Sequence, residues 1–205
     1  MNVSRLFACL LLLAALGAGR ALSQDTLMEP STEKHFPTTV TFAHNGATYT
    51  LHASGATVRK KFFIKVYAVV HYIEGPLEGP VELRLEEVLK DGRARQLTLD
   101  FARDVGATQI QDAFRDGFKL NATEEEFARI EPTVREFLGY FDSEIKENSV
   151  LTFRWLPGGV VLTESYGEAK PPLTDPLFAR MLWSIWFSED SIVDPEELVT
   201  LPESD

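Results

Sequence analysis

Three side chains in one stretch of the chain have the chemistry to hold an anionic ligand. Arg59, Lys65 and Tyr67 all lie within residues 54–73, which are otherwise rich in apolar and aromatic side chains. A guanidinium stays charged at any physiological pH and donates two parallel hydrogen bonds to a carboxylate. A tyrosine hydroxyl donates a hydrogen bond to a ligand oxygen or orients a water molecule, and a lysine adds a second cation.

The spacing of these residues predicts that they share one face of a long β-strand. Side chains alternate between the two faces of a strand, so an uninterrupted strand would place the odd-numbered residues of 54–73 on one side. The other side would carry the apolar residues Phe62, Ile64, Val66, Ala68, Val70 and Tyr72. The odd-numbered face combines cations with aromatic residues, a mixture typical neither of a solvated face nor of a buried one. We therefore expect an apolar cleft with a cationic floor.

Each candidate also has an ordinary structural interpretation. Arg59 could be a surface arginine paired with one of the 31 acidic residues, and Tyr67 could be a half-buried strand aromatic. Lys65 could be a solvated lysine at a sheet edge. His71 falls on the same predicted face, where a lone histidine is more often packed or exposed than catalytic. Arg59 is therefore the first candidate for ligand contact, and Tyr67 is the second.

The first 23 residues have the composition of a secretory signal peptide. Arg5 precedes an apolar run from Leu6 to Leu16, which is too short to span a bilayer comfortably, and small residues follow near Ser23. We expect cleavage near Ser23, a secreted or periplasmic protein, and no membrane span in the mature chain. An uncleaved anchor is the alternative. Removal of the leader also removes Cys9, which is the only cysteine of the chain.

The mature chain would be strongly acidic and free of cysteine. Loss of two leader arginines leaves 18 basic and 31 acidic residues, a net charge of −13. This charge repels phosphate backbones, so we do not expect nucleic acid as a partner. Without cysteine, neither a disulfide framework nor thiol chemistry is available. The four histidines lack metal-ligand spacing and no phosphate or dinucleotide motif occurs, so we expect no metal and no cofactor.

Hydrophobic periodicity and turn residues predict the elements that must position the candidates. Residues 24–36 are polar and aperiodic and indicate a flexible lead-in, followed by one domain over residues 37–205. The first expected elements are a hairpin turning at Asn45-Gly46, the long strand, a short helix around residues 85–89 and a strand over 93–102. Two helices follow, one opened by a capping box at Thr108 and Gln111 and one by Thr123. The last elements are a hairpin turning at 157–159, a helix capped by Asp175 and a short helix capped by Asp194. Pro132 should kink or divide the second long helix. This order predicts an α+β fold with a largely antiparallel sheet covered by a helical layer.

Five motifs occur in an order that is more specific than any one of them. They are the Arg59 to Ile73 stretch with its F-x-K-V-Y pattern, Phe101 to Val105, the helix around Phe114 to Asn121, Phe153 to Gly159, and Phe178 to Trp186. In this order they resemble the chalcone isomerase-like family, and its secreted bacterial-type members more closely than the plant enzymes. The resemblance covers nearly all of the chain after residue 35. It implies an open-faced β-sandwich with a ligand cleft between the long strands and the helices.

The resemblance also implies a role for Arg59. This residue matches the arginine that the family places at the base of its cleft, where it meets the ketone and phenolate of a flavonoid or the carboxylate of a fatty acid. The chain departs from the plant-type enzymes on the helix after the third strand, where Asp112 and Asp116 replace a neutral and cationic set. Tyr67 also stands where those enzymes carry a threonine. Both departures disfavour a phenolate substrate and efficient flavonoid cyclisation.

Three functions are consistent with these residues. The first is a binding protein for an apolar ligand with an anionic head, such as a fatty acid, with Arg59, Tyr67 and Lys65 at the head group. The second is an intramolecular lyase or isomerase of the chalcone isomerase type, in which Arg59 stabilises an enolate. The third is a non-catalytic scaffold for a protein partner, with a vestigial cleft. The departures from the catalytic branch favour the first.

Overall fold

The computed structural model describes residues 25–201, so the predicted signal peptide and Cys9 lie outside the described residues. The strands are β1 (Thr26–Glu29), β2 (Lys34–Pro37), β3 (Thr39–His44), β4 (Ala47–Lys61), β5 (Ile64–Ile73), β6 (Arg95–Phe101), β7 (Val150–Leu156), β8 (Val160–Ser165), β9 (Glu168–Ala169) and β10 (Leu173–Thr174). The helices are α1 (Val81–Val88), α2 (Ala107–Asn121), α3 (Glu124–Leu138) and α4 (Pro176–Phe187). Within residues 25–201, no helix has the length and apolar character needed to cross a membrane.

Eight strands form one curled antiparallel sheet. Their order is β10-β8-β7-β6-β5-β4-β3, and β9 pairs with β8 beside this path. Helices α2, α3 and α4 pack against one another and cover one face of the sheet. The predicted α+β class, with an open-faced sandwich and a helical layer, is confirmed.

The main core lies between the sheet and the helices and is dominated by aromatic side chains. Strand β6 alternates as predicted, with Leu97, Leu99 and Phe101 pointing into this core. Its buried aromatic members are Tyr67, Phe101, Phe114, Phe118, Phe137, Phe141, Phe153, Trp155, Phe178, Trp183, Trp186 and Phe187. Many of these rings meet edge to face or in offset stacks, the geometries that aromatic pairs prefer. Side chains of the protein therefore fill most of the space between the sheet and the helices.

A smaller core lies on the opposite face of the sheet. Ala68, Val70 and Tyr72 of β5 pack there with Leu27 and Phe36, which belong to the β1–β2 hairpin. The prediction of a flexible lead-in over residues 24–36 is therefore wrong. Burial of Leu27 and Phe36, at about 1.5–3 kcal/mol for each fully buried side chain, holds the hairpin on the sheet. Leu27, Met28 and Phe36 are too few and too unevenly spaced to show a period in the sequence.

The long strand predicted over residues 54–73 is also wrong, because the chain reverses within it. Strands β4 and β5 form an antiparallel hairpin in which Lys61 pairs with Ile64, so Phe62 and Phe63 make a two-residue turn. Phe62 has a φ of 57°, in the left-handed region that bulky residues rarely adopt. No glycine, proline or asparagine marks this turn.

A β-bulge follows the turn and changes which residues share a face. Lys60 pairs with Lys65, but Arg59 pairs with Tyr67, so Val66 is an extra residue on β5. Directly paired residues lie on the same face of a hairpin. Arg59 and Tyr67 therefore share one face, as predicted, whereas Lys65 falls with Lys60 on the other.

The chain after α4 returns across the inner face of the β4–β5 hairpin. We call residues 188–200 the C-terminal segment. Its Leu198 carbonyl accepts a hydrogen bond of 2.8 Å from the Ser54 hydroxyl, and its Glu197 carboxylate accepts one from Thr57. Leu198 and Val199 are buried in the main core. A short helix was predicted after Asp194, but the structure has turns there.

The four helices predicted before residue 188 are present, and α2 and α3 each differ from the prediction in one detail. The backbone N–H of Gly106 bonds to Gln109, so α2 begins one residue before Thr108 and the predicted capping box at Thr108 is wrong. Thr123 caps α3 as predicted and accepts a hydrogen bond from the backbone of Glu126. Helix α3 continues through Pro132 without dividing.

The contact between the C-terminal segment and β4 leads to a stability prediction for Gly55. A Cβ atom at this position would lie 2.0 Å from the Glu197 carbonyl oxygen and 2.7 Å from the Leu198 carbonyl carbon. Gly55→Ala should lower the free energy of unfolding by about 2–4 kcal/mol, because displacement of the segment exposes Leu198 and Val199. Urea unfolding measures this loss.

Gly106→Ala is the matched control, because its Cβ would meet nothing closer than the Gln109 Oε1 atom at 3.8 Å. It should cost less than about 1 kcal/mol, which is the scale of an N-cap substitution. Equal stability of Gly55→Ala and the wild type would contradict the close backbone contact.

Candidate ligand-binding site

Arg59 and Tyr67 form a cross-strand pair on the inner face of the β4–β5 hairpin, beneath the C-terminal segment. The half-buried Arg59 side chain donates from Nη1 to the Ile192 carbonyl at 2.7 Å and to the Lys60 carbonyl at 2.8 Å. Strand pairing thus brings the first two predicted site residues together. The C-terminal segment places a neutral backbone oxygen, that of Ile192, directly against the guanidinium.

Tyr67 is buried, and its hydroxyl accepts a hydrogen bond of 3.1 Å from Trp186 Nε1 on α4. Burial raises the pKa of Tyr67 to about 12, although the Trp186 hydrogen bond and the positive charge of Arg59 act in the opposite direction. The hydroxyl therefore keeps its proton throughout the physiological range. The sequence indicated Tyr67 but not its partner, because nothing in residues 54–73 points to a tryptophan on a distant helix.

The pair has hydrogen-bond donors that the described residues do not use. Among residues 25–201, no acceptor lies within hydrogen-bonding distance of Arg59 Nε or Nη2, and none receives the Tyr67 proton. The described part of the chain also offers no carboxylate within ion-pair distance of Arg59. An Arg and a Tyr with free donors on the same face suit a carboxylate, which accepts several hydrogen bonds at once.

Arg95 is an arginine with a purely structural role, and all three nitrogens of its guanidinium donate hydrogen bonds within the protein. It is fully buried, lies 4.2 Å over the Trp155 ring, and donates from all three nitrogens to the carbonyls of Val88, Lys90 and Arg93. Burial lowers its pKa to about 10, and the charge of Arg93 contributes to this. Arg59 differs because only one of its three nitrogens has a partner among residues 25–201.

Lys65 is separated from Arg59 and Tyr67 by the bulge at Val66. It is exposed on the opposite face of the hairpin, where its Nζ donates to the Ser31 carbonyl in the turn between β1 and β2. The expectation of a shared face for all three residues is therefore wrong for Lys65. Its predicted contact with a ligand remains a prediction that this position does not support.

His71 is fully buried near the same face, between Ser54 and Phe187. Its Nδ1 lies 2.7 Å from the Ser54 hydroxyl and its ring stands 4.8 Å from the Phe187 ring. Burial lowers its pKa well below the usual range, with the charges of Arg95 and Arg93 adding to the effect. His71 is therefore neutral and packed at neutral pH.

Two open grooves lie on the surface of the described residues, and neither is lined by Arg59 or Tyr67. The larger has a volume of about 600 Å³ and combines apolar walls such as Leu77 and Val199 with the side chain of Arg84. Arg84 already donates to the Gly79 and Val199 carbonyls. The smaller groove, of about 460 Å³, lies between β1 and the C-terminal segment. The C-terminal segment contacts the Arg59 guanidinium through the Ile192 carbonyl.

Helix α2 does not supply polar groups to the Arg59 side. Asp112 and Asp116 are exposed, and Gln111 donates to the Phe141 carbonyl at 2.7 Å. Among residues 25–201, no three His, Cys, Asp or Glu side chains come together as metal ligands.

Comparison with known proteins connects this architecture to one family. A family model described as chalcone isomerase-like matches residues 32–195. The fold is similar to the crystal structure of an Arabidopsis thaliana fatty-acid binding protein, AtFAP1, with a TM-score of 0.70 and 15% sequence identity over 85% of this chain and 96% of that chain. A search of curated proteins found no significant match. The matched span includes strands β2 to β10 and helices α1 to α4, and the chain therefore belongs to the chalcone isomerase-like family.

Proposed function

We propose that this protein binds an apolar ligand with an anionic head, of the fatty-acid type, and that it does so as a secreted or periplasmic protein. Arg59 and Tyr67 hold the head group. Support comes from the paired donors on the inner face of the hairpin and from the fold shared with a fatty-acid binding protein.

The contact between Arg59 and the C-terminal segment carries the proposal. The segment presents the Ile192 carbonyl oxygen to the guanidinium, and the half-buried side chains of Ile192 and Val193 pack against the main core beside it. An oxygen acceptor attached to an apolar body has the same chemistry as the head and first carbons of a fatty acid. The segment thus occupies the site in the way that a ligand would.

A fatty acid would displace this part of the segment. A carboxylate forms a charge-assisted, bidentate interaction with arginine, which is stronger than the single hydrogen bond to a neutral carbonyl. Tyr67 adds a donor that the Ile192 carbonyl does not use. The acyl chain takes the place of Ile192 and Val193 against the core. The free energy of ligand binding is then the difference between the interactions of the fatty acid and those of the displaced segment.

Substitution of the residues that hold the head group should weaken fatty-acid binding. In a fatty-acid titration followed by calorimetry, Arg59→Ala should weaken binding by about 10- to 150-fold, since a hydrogen bond to a charged group contributes about 1.5–3 kcal/mol. Tyr67→Phe should weaken it by about 2- to 10-fold, the value of one ordinary hydrogen bond. Lys65→Ala is the matched control and should change affinity less than twofold, because Lys65 lies on the opposite face. Equal affinity of Arg59→Ala and the wild type would refute the proposed site.

Substitution of Ile192 should raise the affinity for a fatty acid, whereas substitution of the head-group residues lowers it. Ile192→Ala keeps the backbone carbonyl but removes part of the apolar body that competes with the ligand. It should tighten fatty-acid binding by about fivefold, because the smaller side chain destabilises the ligand-free arrangement of the segment by about 1 kcal/mol. Weaker binding of Ile192→Ala would show that Ile192 touches the ligand instead of competing with it.

The buried hydroxyl of Tyr67 should make the stability of the ligand-free protein depend on pH in the alkaline range. Because the pKa of Tyr67 rises from about 10 in the unfolded chain to about 12 in the folded one, the folded state holds its proton more tightly. The resulting stability is complete below pH 10 and is lost as the pH rises towards 12. The wild type should therefore lose about 2–3 kcal/mol more than Tyr67→Phe between pH 9 and pH 12 in urea unfolding. Parallel pH profiles of the two proteins would contradict a buried hydroxyl.

A further inference from the structure

The turn between β4 and β5 exposes two phenylalanines that the proposed ligand site does not use. Phe62 is 87% exposed, Phe63 is fully exposed, and the neighbouring Ile64 is 51% exposed. Most of the other phenylalanines among residues 25–201 are buried or half-buried in a core. Three adjacent large apolar side chains at one tip therefore form a distinct surface feature.

Folding does not explain these phenylalanines. The neighbouring β3–β4 hairpin of the same sheet turns at Asn45-Gly46, with φ values of 48° and 80°, and these residue types adopt positive φ readily. Phe62 adopts a φ of 57° in the corresponding two-residue turn, where a bulky side chain is disfavoured. An exposed Phe-Phe turn thus lowers both stability and solubility compared with the turn that the same sheet uses elsewhere.

Cations surround the tip. Lys60, Lys61 and Lys65 are exposed, and no carboxylate among residues 25–201 lies within ion-pair distance of any of them. The whole chain has a net charge of −11, so this concentration of positive charge is local. Acidic residues of the C-terminal segment, such as Asp194 and Glu197, line the smaller groove behind Lys60.

The tip also projects from the body of the protein. Strand β6 pairs with β5 only from Tyr67 onward, and β3 pairs with β4 only as far as His52. The end of the hairpin, from Lys60 to Lys65, is therefore a two-stranded ribbon without strand neighbours, next to a Val66 carbonyl that accepts a hydrogen bond from Ala102. Its contact with the rest of the protein is the Lys65 hydrogen bond to the Ser31 carbonyl. Ile64 and Lys65 are the two residues of β5 beyond Val66, so the ribbon extends about 7 Å past this hydrogen bond of Val66.

We propose that this tip docks onto anionic lipid bilayers. Phe62 and Phe63 enter the interfacial region, while the lysine chains keep their ammonium groups at the anionic head groups. Two exposed phenylalanines flanked by three exposed lysines suit the surface of an anionic bilayer better than an apolar groove on a protein. The proposal depends only on the hairpin tip and not on Arg59 or Tyr67.

Vesicle co-sedimentation tests this proposal with the chain from residue 24, which contains every strand and helix described. The probes are vesicles of phosphatidylcholine alone and of phosphatidylcholine with about 30% phosphatidylglycerol. The wild type should bind the anionic vesicles at least tenfold more tightly, and about 0.5 M salt should remove most of this preference, because each lysine contributes about fivefold near an anionic surface.

The double variant Phe62→Asn/Phe63→Gly copies the turn of the β3–β4 hairpin, so it should fold at least as stably as the wild type. It should bind anionic vesicles at least tenfold more weakly. Leu120→Ser is the matched control, since Leu120 is an exposed apolar residue beside Lys119 on α2, and it should bind like the wild type. Wild-type protein that stays in the supernatant, or a double variant that sediments equally, would overturn the proposal. Self-association that depends on Phe62 and Phe63 without vesicle binding would assign the tip to a second copy instead.

Fluorescence of Phe63→Trp reports the position of the tip directly. The three native tryptophans are buried in the core, so an exposed indole at residue 63 gives a distinct red-shifted emission. Anionic vesicles should shift this emission to the blue. An unchanged spectrum on vesicles that sediment with the protein would place the contact elsewhere and refute docking through the tip.

Discussion

The close approach of the C-terminal segment to strand β4 at Gly55 is the constraint on which the site depends. No other residue type fits, because a Cβ atom would meet the Glu197 carbonyl oxygen at 2.0 Å. From this contact the segment reaches Ser54, Thr57 and Arg59, and each of these polar side chains gains a partner. The inner face of a hairpin that extends past its sheet neighbours is thereby covered without a further strand.

The two proposals concern two parts of one hairpin. The inner face holds a cation whose partners in the described part of the chain are neutral carbonyls, and the tip exposes phenylalanines among lysines. In the combined proposal, the tip meets a bilayer, in which fatty acids dissolve, only a few residues from the head-group pair. Transfer of a ligand between a membrane and the site would then need only a short movement of the C-terminal segment. The large aromatic core stays fixed because its rings pack against one another on all sides.

Local sequence signals predicted most elements but missed the features that shape the site. Asn45-Gly46 and Asp175 with the following proline were sufficient to place a turn and a helix start, because these residues act through their own backbone and side chain. The Phe62-Phe63 turn has strong strand propensity and no turn residue, so the hairpin looked like one strand. Arg59 and Tyr67 nevertheless share a face, since the turn reversed the alternation and the bulge at Val66 restored it. Lys65 lies between the turn and the bulge, and no local signal could place it. The partners from Trp186 and Ile192 come from 119 and 133 residues away, beyond any periodicity.

A crystal structure of the protein with a bound saturated C16 fatty acid would show which cation holds the head group. We expect a carboxylate about 3 Å from Arg59 Nη2 and the Tyr67 hydroxyl, with the Ile192 carbonyl displaced from the guanidinium and the acyl chain against the core. A carboxylate bound at Arg84 in the larger groove, with the Arg59 to Ile192 hydrogen bond intact, would contradict it.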